Sequence, residues 1–257
     1  SLKRLGLSSQ IVEISLENLP NLTQIFLTAG NLERLSVIDL PSLDRINLQF
    51  NKLSSVTFRN LPSLEDLNLS DNQLTDISFL SESPNLETVN IMNNQITDIS
   101  VFSGFQNLSR LDAARNQIAD VNLGNLPKLR RLRVNTNSIR TFTLSNLPSL
   151  TSLALSDSEI ETASFSNVPS LIDLKANDNR LTDLSFLEGS LGLEILELRN
   201  NQIVNLTPLS GLTNLDTLRM GNNQIVDVSP LGTLLNLSEL ELSDNRIVNI
   251  SPLNSLK

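Results

Sequence analysis

The fold class this sequence predicts is an α/β solenoid, mostly β with short helical turns, in about twelve coils of 21–22 residues with a parallel sheet on the concave face. Three observations predict it. An apolar pattern, L-x-x-L-x-L-x-x-N-x-L, returns along the whole chain. One copy reads Leu64, Leu67, Leu69, Asn72, Leu74 and another Leu237, Leu240, Leu242, Asn245, Ile247. The L-x-L portion alternates with period two, the mark of a short strand with one face turned inward. No Pro/Gly-rich linker or low-complexity run breaks the register, so residues 1–257 read as one domain. A single coil would leave both flat sides wet, so only stacking can bury the leucines.

Taken in order, the coils start at Leu2, Leu22, Leu43, Leu64, Leu86, Leu108, Leu129, Leu150, Leu171, Leu193, Leu215 and Leu237. Eight positions after the start, Asn51, Asn72, Asn94, Asn116, Asn137, Asn179, Asn201, Asn223 and Asn245 form a column. Asn carries donors and an acceptor, so this column is expected to satisfy backbone groups in the turn that leaves each strand. Gly30 and Ser158 interrupt it, which predicts looser turns in the second and eighth coils. The return segments come in two kinds. Shorter repeats carry Thr57-Phe58-Arg59-Asn60-Leu61-Pro62-Ser63-Leu64 or its like, and longer ones carry Asp227-Val228-Ser229-Pro230-Leu231 or its like. In the longer kind, Ser before Pro-Leu reads as the cap of one short helical turn with Pro at its first position. Phe58, Phe79, Phe165 and Phe186 share one repeat position and read as core. Residues 62–87 resemble residues 169–194 at an offset of 107, which predicts a duplicated block of five coils.

Composition narrows the chemistry. The chain has no Cys, which removes thiol nucleophiles, disulfides and thiolate metal sites, and no His, which removes the commonest general base. It contains no Gly-rich phosphate loop, and its turn acids (Asp71, Asp178, Asp244) lie too far apart for the oxygen cage of a calcium site. No enzyme activity, cofactor or metal is expected. A net charge of −9 disfavours a nucleic-acid partner, and no run of apolar residues is long enough to insert into a membrane. Opening at Ser1, without Met or a cap, the sequence reads as a fragment whose caps are missing at both ends.

The repeat pattern identifies the chain as resembling leucine-rich repeat proteins. The copies ending Asn94-Gln95-Ile96-Thr97-Asp98-Ile99-Ser100 and Asn223-Gln224-Ile225-Val226-Asp227-Val228-Ser229-Pro230-Leu231 resemble the repeats of bacterial internalins. The likeness is best over residues 64–108 and 171–257, while the Asn-Leu-Pro-Ser-Leu repeats depart from it. The helical cap that precedes internalin repeats, and the immunoglobulin-like segment that follows them, have no counterpart here. The resemblance implies a domain on a bacterial surface, or secreted, that holds a host or other protein on its concave face.

Candidate binding residues follow from the strand pattern, because third, fifth and seventh positions project from the concave sheet. Arg110 and Arg131 are neighbours in the third-position column, Arg133 lies beside them, and Arg115 and Arg130 stand at the edges. Like charges on adjacent strands are destabilising, so this cluster is a candidate for gripping an acidic protein loop or, second, an acidic glycan. Alternatively, the long side chains splay into solvent and lean on Asp112. Near the amino end, Phe26 falls on the concave face and Phe50 just past its strand, next to Arg45 and Asn47. An aromatic there is a candidate binding anchor, the alternative being that Phe50 folds over the rim of its turn. A further column of Ser or Thr, from Ser15 to Ser251, reads as capping the return turns. The expected function is therefore a non-enzymatic protein-binding module, part of a secreted or cell-surface adhesin-like protein. The alternatives are a cytoplasmic leucine-rich repeat scaffold of the phosphatase-regulator type and a structural spacer.

Overall fold

The computed structural model describes residues 2–7 and 10–256. It contains a parallel sheet of twelve strands, one per coil and in chain order, from Arg4–Gly6 to Glu239–Glu241. Each strand is three residues long and holds the third, fourth and fifth repeat positions. The fourth is the buried leucine, and the period-two pleat then turns the third and fifth outward. Pairing follows the repeat alignment: Arg110 lies opposite Arg131, Leu111 opposite Leu132, and Asp112 opposite Arg133. A slip of one residue would move every leucine to the wet face, so the apolar pattern holds the register.

The first, fourth, sixth and eleventh positions form a continuous core; Leu64, Leu67, Leu69 and Leu74 are all buried. Each such side chain contributes about 1.5–3 kcal/mol relative to exposure. Behind it runs the asparagine ladder. Asn94 Nδ2 donates to Leu69 O at 3.0 Å in the coil before and to Ile91 O at 3.1 Å in its own. Its Oδ1 accepts from Leu74 N–H at 3.0 Å. The same triad recurs at Asn72, Asn201 and Asn223. Just before the Asn, one residue per coil takes a left-handed conformation, from Ala29 (φ 55) to Asp244 (φ 53).

The expectation of looser turns at Gly30 and Ser158 is not met. Gly30 N–H donates to Phe50 O at 2.9 Å and Ser158 N–H to Asp178 O at 3.3 Å, as their counterparts do. The backbone path is set by these coil-to-coil bonds, and the column's side chain only completes it. What is lost at Ser158 is satisfaction, since its buried Oγ has no hydrogen-bond partner. Ser158→Asn is expected to raise stability by about 1 kcal/mol, by supplying the bonds that flanking coils make. Thermal melts followed by circular dichroism would check this, and a lower midpoint would contradict it.

The return segments differ in kind. In coils one to three they are strands (Glu13–Glu17, Arg34–Ile38, Ser55–Arg59) forming a small parallel sheet. Coils six to eight repeat this with Asp120–Gly124, Thr141–Ser145 and Thr162–Ser166. The offset between the two sets is again 107 residues, the period seen in the sequence. The Asn or Asp that follows each of these strands (Asn60, Asn146 and their equivalents) is left-handed, a conformation short polar side chains tolerate. A Pro follows two residues later, beyond the strand's end, where no ladder donor is needed.

The other six coils carry a 3-10 turn instead, among the described residues. Here the sequence reading needs correction. Ser229 is the first residue of its turn and caps nothing; the preceding Val228 also makes no side-chain cap bond. Asp227 does the capping, accepting the Ser229 N–H at 2.8 Å and its hydroxyl at 2.7 Å. Asp76 and Asp98 do the same for Ser78 and Ser100. The hydroxyl column is thus divided between cap donors in these coils and mid-strand residues such as Ser36 and Thr143 in the others. Strand gives way to turn at Phe58–Phe79 and Phe165–Phe186, edge-to-face pairs with centroids 5.1 and 5.0 Å apart. The shared phenylalanine position therefore seals the joint, with Phe79 and Phe165 only partly buried.

Candidate binding surface on the concave sheet

The twelve-stranded sheet divides into three stretches by what its outward side chains do. In the first, the candidates are largely occupied by neighbours. The Arg4 guanidinium lies 5.3 Å from the centroid of the half-buried Phe26 ring. Arg45 grips Asp66 with two bonds, at 3.1 and 2.6 Å. Asn47 Oδ1 accepts the Gln49 N–H at 3.2 Å. Asn68, Asn90 and Asp112 repeat that local bond, so polar residues at the fifth position have a structural reason to be there. Phe50 does not fold down over its turn: it is left-handed and 55% exposed.

The middle stretch differs. Arg110 and Arg131 face water side by side, and among the described residues neither they nor Arg115 or Arg130 has a carboxylate within ion-pair distance. Of the cluster, only Arg133 leans on Asp112, at 3.5 Å. Two shallow hollows flank this pair. One, of about 300 Å³, lies at the strand starts beside Arg110, Lys128 and Arg130, with Glu87 as its one carboxylate. The other, of about 480 Å³, lies past the strand ends beside Arg115, Arg133 and Lys175. The five arginines are therefore close in the fold but do not converge on one point.

The last stretch is a self-neutralising network that the sequence reading left unassembled. Arg219 binds Glu239 through two bonds of 2.7 Å and Glu197 through a third of 2.7 Å. Arg199 Nε reaches Glu241 two coils away, at 2.7 Å. Glu197 is buried, although its strand position faces outward. Burial pushes its carboxyl up, but the Asn177 amide, Lys175 and Arg219 together hold it below the usual carboxylate range. Burial likewise raises Glu241 while the Ser243 hydroxyl and Arg199 pull it lower, and the Arg219 hydrogen bond depresses Glu239. All three are ionised at neutral pH and none is poised as a proton donor. The signal was present in the fifth-position column, where Lys175, Glu197, Arg219 and Glu241 alternate in sign. Arg110 and Arg131, in the third-position column, show no such alternation.

Among the described residues no helix is long and apolar enough to cross a membrane. The model of the family of leucine-rich repeats (in two copies) matches residues 41–82, 62–104, 84–125 and 192–233. A comparison with curated proteins returned no match. Among solved structures, internalin C2 of Listeria monocytogenes is 30% identical, covering 72% of this chain and 74% of that one, with a TM-score of 0.56. Internalin InlF of Listeria monocytogenes is 27% identical over 91% of this chain and 84% of that one, with a TM-score of 0.58. TLR13, solved in complex with ssRNA13, shares the fold at 24% identity, with a TM-score of 0.71 over 93% of this chain and 42% of that one. The chain belongs to the leucine-rich repeat family and is internalin-like in its repeats.

Proposed function

We propose that the chain is a non-enzymatic protein-binding module of a secreted or surface-exposed bacterial protein, adhesin-like in role, and that its partner lies against the middle of the concave sheet. The observation that carries this is the in-register Arg110–Arg131 pair, which among the described residues has no carboxylate within ion-pair distance, in a chain of net charge −9. Elsewhere on the same sheet Arg45, Arg199 and Arg219 are each tied to an acid. Like charges held side by side cost stability, and an acidic loop seated between them would remove that cost. Similarity to internalin C2 and internalin InlF supports the bacterial surface or secreted setting.

Arg110→Ser with Arg131→Ser is the test. The double variant should melt at the wild-type temperature or slightly above it, because like-charge repulsion is relieved. Capture of a protein partner from host-cell surface extract should fall at least tenfold. Wild-type capture should also weaken as salt rises, since the contact is exposed and charged. Undiminished capture by the double variant would overturn the assignment.

A further inference from the structure

We infer that the hollow past the strand ends, walled by Arg115, Arg133 and Lys175 and floored by Met92, Ala114 and Ala154, docks an acidic peptide segment of the partner that carries an apolar side chain between its acids. This deepens the proposed function and rests on it. Charge comes first: three cations and one carboxylate, Asp112, line the hollow. Arg133 leans on Asp112 at 3.5 Å and Lys175 on Glu197 at 3.6 Å, both loose pairs of an exposed cation, and among the described residues Arg115 has no acid within ion-pair distance. The floor comes second. Ala114 is buried and Ala154 is half-buried at an outward position, so the sheet is scooped where other coils project long side chains. A sulfated glycan would use the cations and find nothing to gain from that floor. A peptide would use both.

The third observation concerns the backbone. In the left-handed column before the ladder, most coils use Asn or Asp, which tolerate the conformation, and the amides link coil to coil. Asn93 donates to Asp71 at 2.7 Å, Asn200 to Asp178 at 2.6 Å, and Asn222 to Asn200 at 2.8 Å. The column departs from Asn or Asp at Ala29 (φ 55) and Phe50 (φ 59) near the amino end, and again at Arg115 (φ 56), which lines the hollow, and Thr136 (φ 57) in the next coil. A β-branched residue is a genuine outlier in this region, and Arg has no local bond to offset the strain. Asn at both positions would continue the linkage from Asp71 and Asn93 toward Asp157. Arg115 is the residue of this column that is both strained and part of the hollow's wall, kept where Asn would link the coils.

Two variants separate binding from folding. Arg115→Asn with Thr136→Asn should raise the melting temperature, and Ala154→Phe should leave it unchanged, because Phe26 occupies the equivalent position in the second coil. The probe is a displayed library of nonapeptides with Asp or Glu at six positions and random residues at the other three. Wild-type protein should enrich peptides with an aliphatic or aromatic residue between acids, and each variant should bind the selected peptides at least tenfold more weakly. No enrichment, or selected peptides bound equally by both variants, overturns the inference. So does a heparin oligosaccharide that displaces the peptides and binds Ala154→Phe as well as wild type. If surface-extract capture is lost in the Arg110/Arg131 variant yet kept in Ala154→Phe, the concave-face reading stands and the hollow is not its contact.

Discussion

Phe102→Ala is expected to destabilise the protein by about 3–5 kcal/mol, the usual range for emptying a phenylalanine-sized site in a packed core. Phe102 ends the Ser100–Phe102 turn, is fully buried, and meets Phe105 edge-to-face at 5.6 Å. It sits where the fifth coil's 3-10 turn abuts the sixth coil's strand Asp120–Gly124, so two different return segments must fit around one ring. The surrounding backbone is tied coil to coil; Gly104 N–H donates to Gly124 O at 3.0 Å, for example. Little collapse into the void is therefore open to it. In a stack whose stability is a sum of coil and interface contributions, the damage concentrates at one junction. Urea unfolding followed by circular dichroism should show a lower midpoint, with the transition broadening or splitting as the two halves uncouple. A variant that melts within 1 kcal/mol of wild type, on the order of an ordinary surface substitution, would refute this account. The chain has no Trp or Tyr, so fluorescence offers no substitute readout.

The second large effect is expected at Asn94→Leu, at about 1–3 kcal/mol. Leu keeps Asn's branching and number of side-chain heavy atoms but is bulkier, so some overpacking adds to the lost hydrogen bonds. Most groups that Asn94 serves keep another partner: Leu69 O still receives Asn72, and Ile91 O still receives Asn116. Leu74 N–H, buried with its residue, loses the acceptor that Asn94 supplies. That one orphan sets the estimate. The shared carbonyl gives a sharper check. Removing both Asn94 and Asn116 strips Ile91 O of both side-chain donors, so Asn94→Leu with Asn116→Leu should cost more than the two single losses combined. Strict additivity in thermal melts would mean that the ladder acts as separate clips.

Much of the architecture was legible because the repeat writes each physical constraint many times over. Leu67 is buried for the same reason as Leu132 and Leu218, and the alignment of those leucines placed Arg110 opposite Arg131 without any coordinates. The return segments were less legible. Arg34-Leu35-Ser36-Val37-Ile38 has a strand's alternation, but whether five residues pair depends on a neighbour also presenting an open edge. Coils one to three and six to eight do so, while turns capped by Asp or, at Asn205 and Asn249, by Asn take that place elsewhere. The cap was misassigned to Ser229 because hydroxyl and carboxylate can both accept the N–H, and only their positions decide which does.

The candidate site was legible in part. Sequence placed the five central arginines on one face, but could not tell a paired cation from a free one. Arg45 and Arg110 occupy the same column, and their difference is that Asp66 stands beside the first while Thr88 and Arg131 flank the second. The hollow at Ala154 and the strain at Thr136 were invisible too, since small size and a positive φ gain meaning only from what surrounds them.

The sequence by itself determined the winding, the register and the identity of the buried residues, because burial here is a local rule repeated at fixed spacing. Only the tertiary structure decided which outward charges are spent on one another, since that depends on side-chain reach across coils, as between Arg199 and Glu241. A periodic code specifies which face a residue occupies; it leaves open which neighbour its charge will find.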